Sequence, residues 1–145
     1  MRTKRARGGA VEIAIRVPGG RHAAAVLRAA ARGWIREELS IALVSDREIR
    51  ALNRRWRSKD RATDVLSFPL EEPGALGDVV ISLQTARRKA AEGGWPLAAE
   101  LRRLLAHGIL HCRGYDHDDP AAARRMAAAE RRLLGRDGLV GSSLA

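Results

Sequence analysis

Three of the four histidines fall within eleven residues, in HGILHCRGYDH from His107 to His117. Two side chains four apart on a helix lie on the same face, so the His107 and His111 imidazoles can meet one ion. Gly114 follows, a residue able to leave the helix at positive φ and bring His117 back toward the same point. Neutral imidazole ligates zinc at ~2.0–2.1 Å, and three protein ligands leave a fourth position for water, as in catalytic zinc sites. Such a water can have its pKa lowered to about 7, giving hydroxide at neutral pH. A lone histidine would be read as an ordinary core or surface group. Three in this register, with a glycine between, predict a metal site. Zinc is the default ion, with nickel, manganese or iron also suited to imidazole.

The spacing is that of metzincin proteases, yet the residue after the first histidine is Gly108, where a peptide-cleaving enzyme needs a glutamate to move the water's proton. A phosphodiester instead needs positive charge around its developing oxygens. The missing carboxylate therefore favours a nuclease over a protease. Gly108 itself is expected to allow close packing of the helix on a strand. Cys112, about 100° around the helix from His111, is read as apolar filler, neither ligand nor nucleophile. Asp119 is a candidate helix cap; Asp116 or Asp118 could orient a histidine, although turn chemistry explains both. Elsewhere, NRRWRSKDRATDVLSFPL (53–70) is rich in cations. Arg54, Arg55, Lys59 and Arg61 read as solvated. Arg57 follows Trp56, whose ring could anchor the segment to the core and hold a phosphate-matching fork in place.

These groups need elements to position them. VEIAIRV (11–17) alternates with period two and ends at PGG, a strand and a turn. Residues 21–38 carry helical spacing through Val26, Ala30, Trp34 and Ile35, and LSIALV (39–44) is a second strand. Ser45 and Glu48 stand in capping-box register before a helix through Ile49, Leu52 and Trp56. A loop-rich stretch with a short extended piece at Val65 to Phe68 leads to a third strand, GDVVISL (77–83), then to a helix over TARRKAAE stopped by Gly93-Gly94. Pro96 opens the histidine helix, whose Leu97, Leu101, Leu104, Leu105, Gly108 and Cys112 form one apolar stripe. Asp119-Pro120 starts a last helix to about Leu134. The pattern predicts an α+β domain: a small mixed β-sheet flanked by four or five helices, with the metal site at the end of a helix.

A chain of 145 residues predicts one domain, with 1–10 and 138–145 as flexible tails. One cysteine fits a reducing compartment. With no secretory pattern and nothing near the roughly 18 apolar residues of a membrane span, the expectation is a soluble, cytoplasmic protein. The net charge of +10 points to a polyanionic partner, RNA or DNA before a membrane. Exchange of lysine for arginine through codon bias would leave that charge unchanged. Trp34, Trp56, Trp95, Phe68 and Tyr115 are the whole aromatic set, too few for a base-stacking sheet face, so phosphate contacts should dominate.

NRRWRSKDRATDVLSFP, LGDVVIS and HGILHCRGYDH, in this order and spacing, resemble the three signature blocks of the YbeY family, bacterial metal-dependent endoribonucleases; the likeness spans about residues 39–135. It implies that His107, His111 and His117 hold one Zn²⁺, and that Arg57 lines a basic cleft and engages RNA phosphate, these four forming the catalytic set. It also implies a single-strand-specific endoribonuclease in ribosomal RNA maturation, at the small-subunit RNA 3′ end, and in ribosome quality control. Partners would be single-stranded rRNA precursor, the small ribosomal subunit and its assembly factors. The rival readings are a non-catalytic assembly factor with a structural zinc and, further off, a zinc metalloprotease. The latter needs a methionine turn, whereas the only internal methionine is Met126, in an Ala/Arg-rich helix.

Overall fold

The computed structural model describes residues 10–135. The order is β1 (Ala10–Ile15), α1 (Arg21–Trp34), β2 (Glu38–Val44), α2 (Asp46–Arg57), β3 (Val65–Pro69), β4 (Ala75–Ser82), α3 (Leu83–Gly93), α4 (Leu97–Cys112) and α5 (Pro120–Gly135). The strands form one mixed sheet in the order β1-β2-β4-β3. β1 and β4 both run parallel to β2, and β3 closes the edge antiparallel to β4. This is the expected α+β arrangement with five helices. No helix among the described residues is long and apolar enough to cross a membrane.

The reach of several elements differs from the sequence reading. Ala10, placed in the N-terminal tail, pairs with Glu38 and opens β1; the rest of that tail and the whole of 138–145 lie outside the described residues. α1 stops at Trp34, not at residue 38, although its apolar pattern runs on: Ile35 is buried but already extended, with φ −121° and ψ 156°. Burial and helicity part company there. The short extended piece at 65–68 is a full strand, hydrogen-bonded to β4 from Val65 opposite Ile81 to Pro69 opposite Gly77.

α4 runs through the middle of the molecule, packed by α1, α3, α5, β3 and β4. Its apolar stripe is wider than one face, because Ala106, Ile109 and Leu110 are as buried as Leu101 and Leu105. Even Glu100 is fully buried, accepting from Trp95 Nε1 at 2.8 Å and from Arg103 at 2.7 Å. Among the described residues the other sheet face is covered by α2, through Ile49 against Val44, Leu66 and Val80.

Half of the expected capping box forms: Ser45 Oγ accepts from the Glu48 N–H, while the Glu48 carboxylate pairs with Arg16 at 2.6 Å. The first helical residue is more heavily used. Asp46 accepts from Ser82 Oγ at 2.6 Å, Thr85 Oγ1 at 2.6 Å and Arg88 at 2.8 Å, tying α2 to the start of α3. Burial alone would raise its pKa, but the hydrogen bonds from Ser82, Thr85 and Arg88 outweigh it and hold it below the ordinary carboxylate value. A depressed folded pKa gives stability present above the unfolded value of about 3.9 and lost as pH falls through the folded one. Asp46→Asn is therefore expected to cost about 2 kcal/mol at neutral pH. The difference from wild type should shrink below about pH 4; denaturant melts at both pH values would check it.

Candidate metal centre

α4 ends in a complete Schellman motif. The Tyr115 N–H donates to Leu110 O and the Gly114 N–H to His111 O, each at 3.0 Å, with Gly114 at φ +96°. Tyr115 packs back on the core, so the chain leaves the helix in a fixed direction. Downstream, Asp119 caps α5 by accepting from the Ala122 N–H at 2.8 Å, as the sequence suggested. Between these two anchors lies His117.

The three imidazoles converge. Ring centroids are 4.5 Å apart for His107–His111, 5.2 Å for His111–His117 and 5.8 Å for His107–His117. His107 Nε2 and His111 Nε2 are 3.0 Å apart. Two nitrogens on one tetrahedral ion with bonds of ~2.0–2.1 Å are about 3.3 Å from each other, so this pair is already near the required span. One nitrogen from each ring lies within 4.8 Å of the others, a group able to hold a metal ion. His107 and His111 are half-buried and His117 is exposed, which leaves one side of the cluster open. Burial, reinforced by the neighbouring His107 and His117, lowers the His111 pKa, favouring the neutral ring with its lone pair. Donor type and spacing suit a metal ion, and the lowered His111 pKa agrees.

Gly108 explains the missing carboxylate. A Cβ at this position would come within 2.7 Å of Val79 Cγ1 and 3.2 Å of Ser67 Oγ. The helix is pressed on β4 there, with no space for a glutamate. Met126 is buried in the core as part of α5 rather than in a turn under the histidines. Both features count against the protease reading. Cys112 is half-buried beside Gly77; burial, aided by nearby Asp78, pushes its thiol up to about 11, so it is no thiolate nucleophile at neutral pH, and it does not belong to the converging donor group.

Arg57 is the last residue of α2, and the chain turns sharply after it, with Ser58 at φ +59°. Its guanidinium donates to Ser67 O and lies 5.2 Å from the Phe68 ring centroid. Trp56 does not anchor the segment: the residue is 59% exposed, and its ring carries Arg55 at 5.1 Å. The aromatic partner comes instead from β3, across the sheet edge, because residues adjacent on a helix point in different directions. Arg57 and all three histidines line one cleft of about 430 Å³, together with Asp64 and Ser67. Asp64 is paired with Lys89 at 2.6 Å.

A further contact was not expected from the sequence. His107 Nδ1 lies 2.7 Å from Glu130 Oε2 of α5. Asp116, one of the two aspartates suggested for such a contact, accepts from the Asp118 N–H at 3.1 Å and shapes the loop. A signal existed: Glu130 is the only acid in α5, beside the buried Met126, Ala129 and Leu133.

Comparison with known proteins agrees with this geometry. The sequence profile of a family described as Endoribonuclease YbeY matches residues 21–137. A protein of Anaeromyxobacter dehalogenans named Endoribonuclease YbeY is 58% identical over 137 residues, covering 88% of this chain and 71% of the relative. One of the same name from Myxococcus xanthus is 57% identical over 114 residues, covering 74% of this chain and 39% of that longer protein. The solution structure of a Thermotoga maritima protein superposes with a TM-score of 0.57 at 27% identity, covering 88% of this chain and 91% of the other.

Proposed function

The chain belongs to the YbeY family, and from that premise we propose that it is a metal-dependent endoribonuclease acting on single-stranded RNA. The observation that carries the reading is one cleft lined by three convergent imidazoles and a fixed arginine. His107, His111 and His117 are the ligands in this reading, and zinc is the ion. When bound, such a cation supplies Lewis acidity and can bring the pKa of a water to about 7. The protein's own part is positioning. With one N–H of Arg57 given to Ser67 O and its guanidinium carbon over the Phe68 ring, the fork is held in place from two sides. Its other donors match a phosphate bidentately and stabilise charge as it develops on the non-bridging oxygens. The net charge of +10 supports a polyanionic substrate. In line with the family, the substrate in the cell is a ribosomal RNA precursor, cut toward the 3′ end of the small-subunit RNA in the cytoplasm. Its partners are then the small ribosomal subunit and assembly factors, in maturation and quality control.

The test is cleavage of a labelled single-stranded oligoribonucleotide. Arg57→Ala is expected to slow it by about 100- to 1000-fold, with zinc content unchanged and little loss of melting temperature. A zinc that only braces the fold predicts no cleavage by clean wild-type protein. The product ends identify the nucleophile, since a 2′,3′-cyclic phosphate implicates the RNA's own hydroxyl.

A further inference from the structure

His107 has two ring nitrogens with two different neighbours. Nε2 faces His111 Nε2 at 3.0 Å, and Nδ1 faces a Glu130 carboxylate oxygen at 2.7 Å. An ionised carboxylate only accepts hydrogen bonds. At that distance Nδ1 therefore carries the proton, and in the neutral ring Nε2 is left with the lone pair. We propose that Glu130 is a positioning residue that fixes His107 as the Nδ1–H tautomer and aims its Nε2 into the histidine cluster. The proposal rests on the metal-site reading above and extends it to a second helix.

The packing suits that task. Glu130 projects from α5, which Ala122, Met126, Ala129 and Leu133 seal into the core, and its own side chain is 25% exposed. A carboxylate on so firmly seated a helix gives up little freedom when it pairs. A neutral imidazole can carry its proton on either ring nitrogen, so a ligand nitrogen chosen in advance saves that selection on binding. A carboxylate behind an imidazole also makes the ring a better electron donor to a metal.

Glu130→Ala and Glu130→Gln would be compared with wild type in two measurements. Competition with a chromophoric chelator should show zinc bound about 10- to 100-fold more weakly by Glu130→Ala. Glu130→Gln should lose less, because its amide carbonyl still accepts the Nδ1 proton. Nitrogen-15 spectra of zinc-free protein at alkaline pH should show His107 as the Nδ1–H form in wild type, shifting toward Nε2–H in Glu130→Ala. A role confined to holding α5 in place would lower the melting temperature without moving the tautomer. Zinc affinity of Glu130→Ala matching wild type, or a wild-type His107 already in the Nε2–H form, overturns the proposal. Wild-type protein with no zinc affinity would instead overturn the underlying metal-site reading, a separate and recognisable result.

Discussion

His111→Ala is expected to leave a folded protein that retains no stoichiometric zinc and cuts RNA at least about 1000-fold more slowly, equivalent to roughly 4 kcal/mol of barrier. His111 is the middle member of the cluster, with ring contacts at 4.5 Å to His107 and 5.2 Å to His117. Its removal leaves two imidazoles on opposite sides of a gap. The fold should tolerate the change, because α4 is anchored by Leu101, Leu105 and Ile109, all fully buried, and alanine is the best helix former. Elemental analysis, circular dichroism and cleavage on one preparation check the three parts together. Full cleavage activity in a zinc-free His111→Ala protein would end the metal-dependent reading.

Gly77→Ala should produce the largest loss of stability, at about 3–5 kcal/mol. Gly77 has φ +150°, and a Cβ there would lie 2.4 Å from Phe68 O, 2.9 Å from Pro69 Cα and 2.9 Å from Cys112 Sγ. Two of these atoms are the backbone of the neighbouring strand, which cannot rotate aside. The ladder is irregular at the same place: Glu38 pairs with Ala75 but Leu39 with Gly77, leaving Leu76 as the extra residue of a bulge. Thermal unfolding should fall by about 10 °C or more. Since β3 also supplies Ser67 and Phe68 to Arg57, surviving protein should cleave RNA poorly. A melting temperature equal to wild type would mean that the β3–β4 edge closes less tightly.

The parts of the site that were legible in the sequence are those written in local spacing. His107 and His111 share a face because they are four apart, and Gly114 and Asp119 are the turn and cap that their residue types suit. Of the strands, β1 showed through its alternation, while β3 was legible only as a short extended piece at Val65 to Phe68, one residue short of the paired strand. What stayed hidden depends on contacts across the chain. Phe68 rather than Trp56 supports Arg57, and nothing in the order of residues 53–70 chooses between the two rings. Glu130 meets His107 from 23 positions away, through the packing of α5 on α4. Ile35 shows the same limit in the fold, as its burial fits helix and extended chain equally well.

The two half-sites differ in how they are held, and this sets an order of events during biogenesis. His107 and His111 ride on a helix enclosed by five other elements, whereas His117 sits on the short connection between two capped helix ends. Collapse of the apolar interior therefore builds most of the ion's cradle without the ion. Unlike a zinc finger, which is unfolded without its metal, a chain built in this way would, on the metal-dependent reading proposed above, fold first and be loaded afterwards, so that scarcity of the cation would silence it reversibly instead of destroying it.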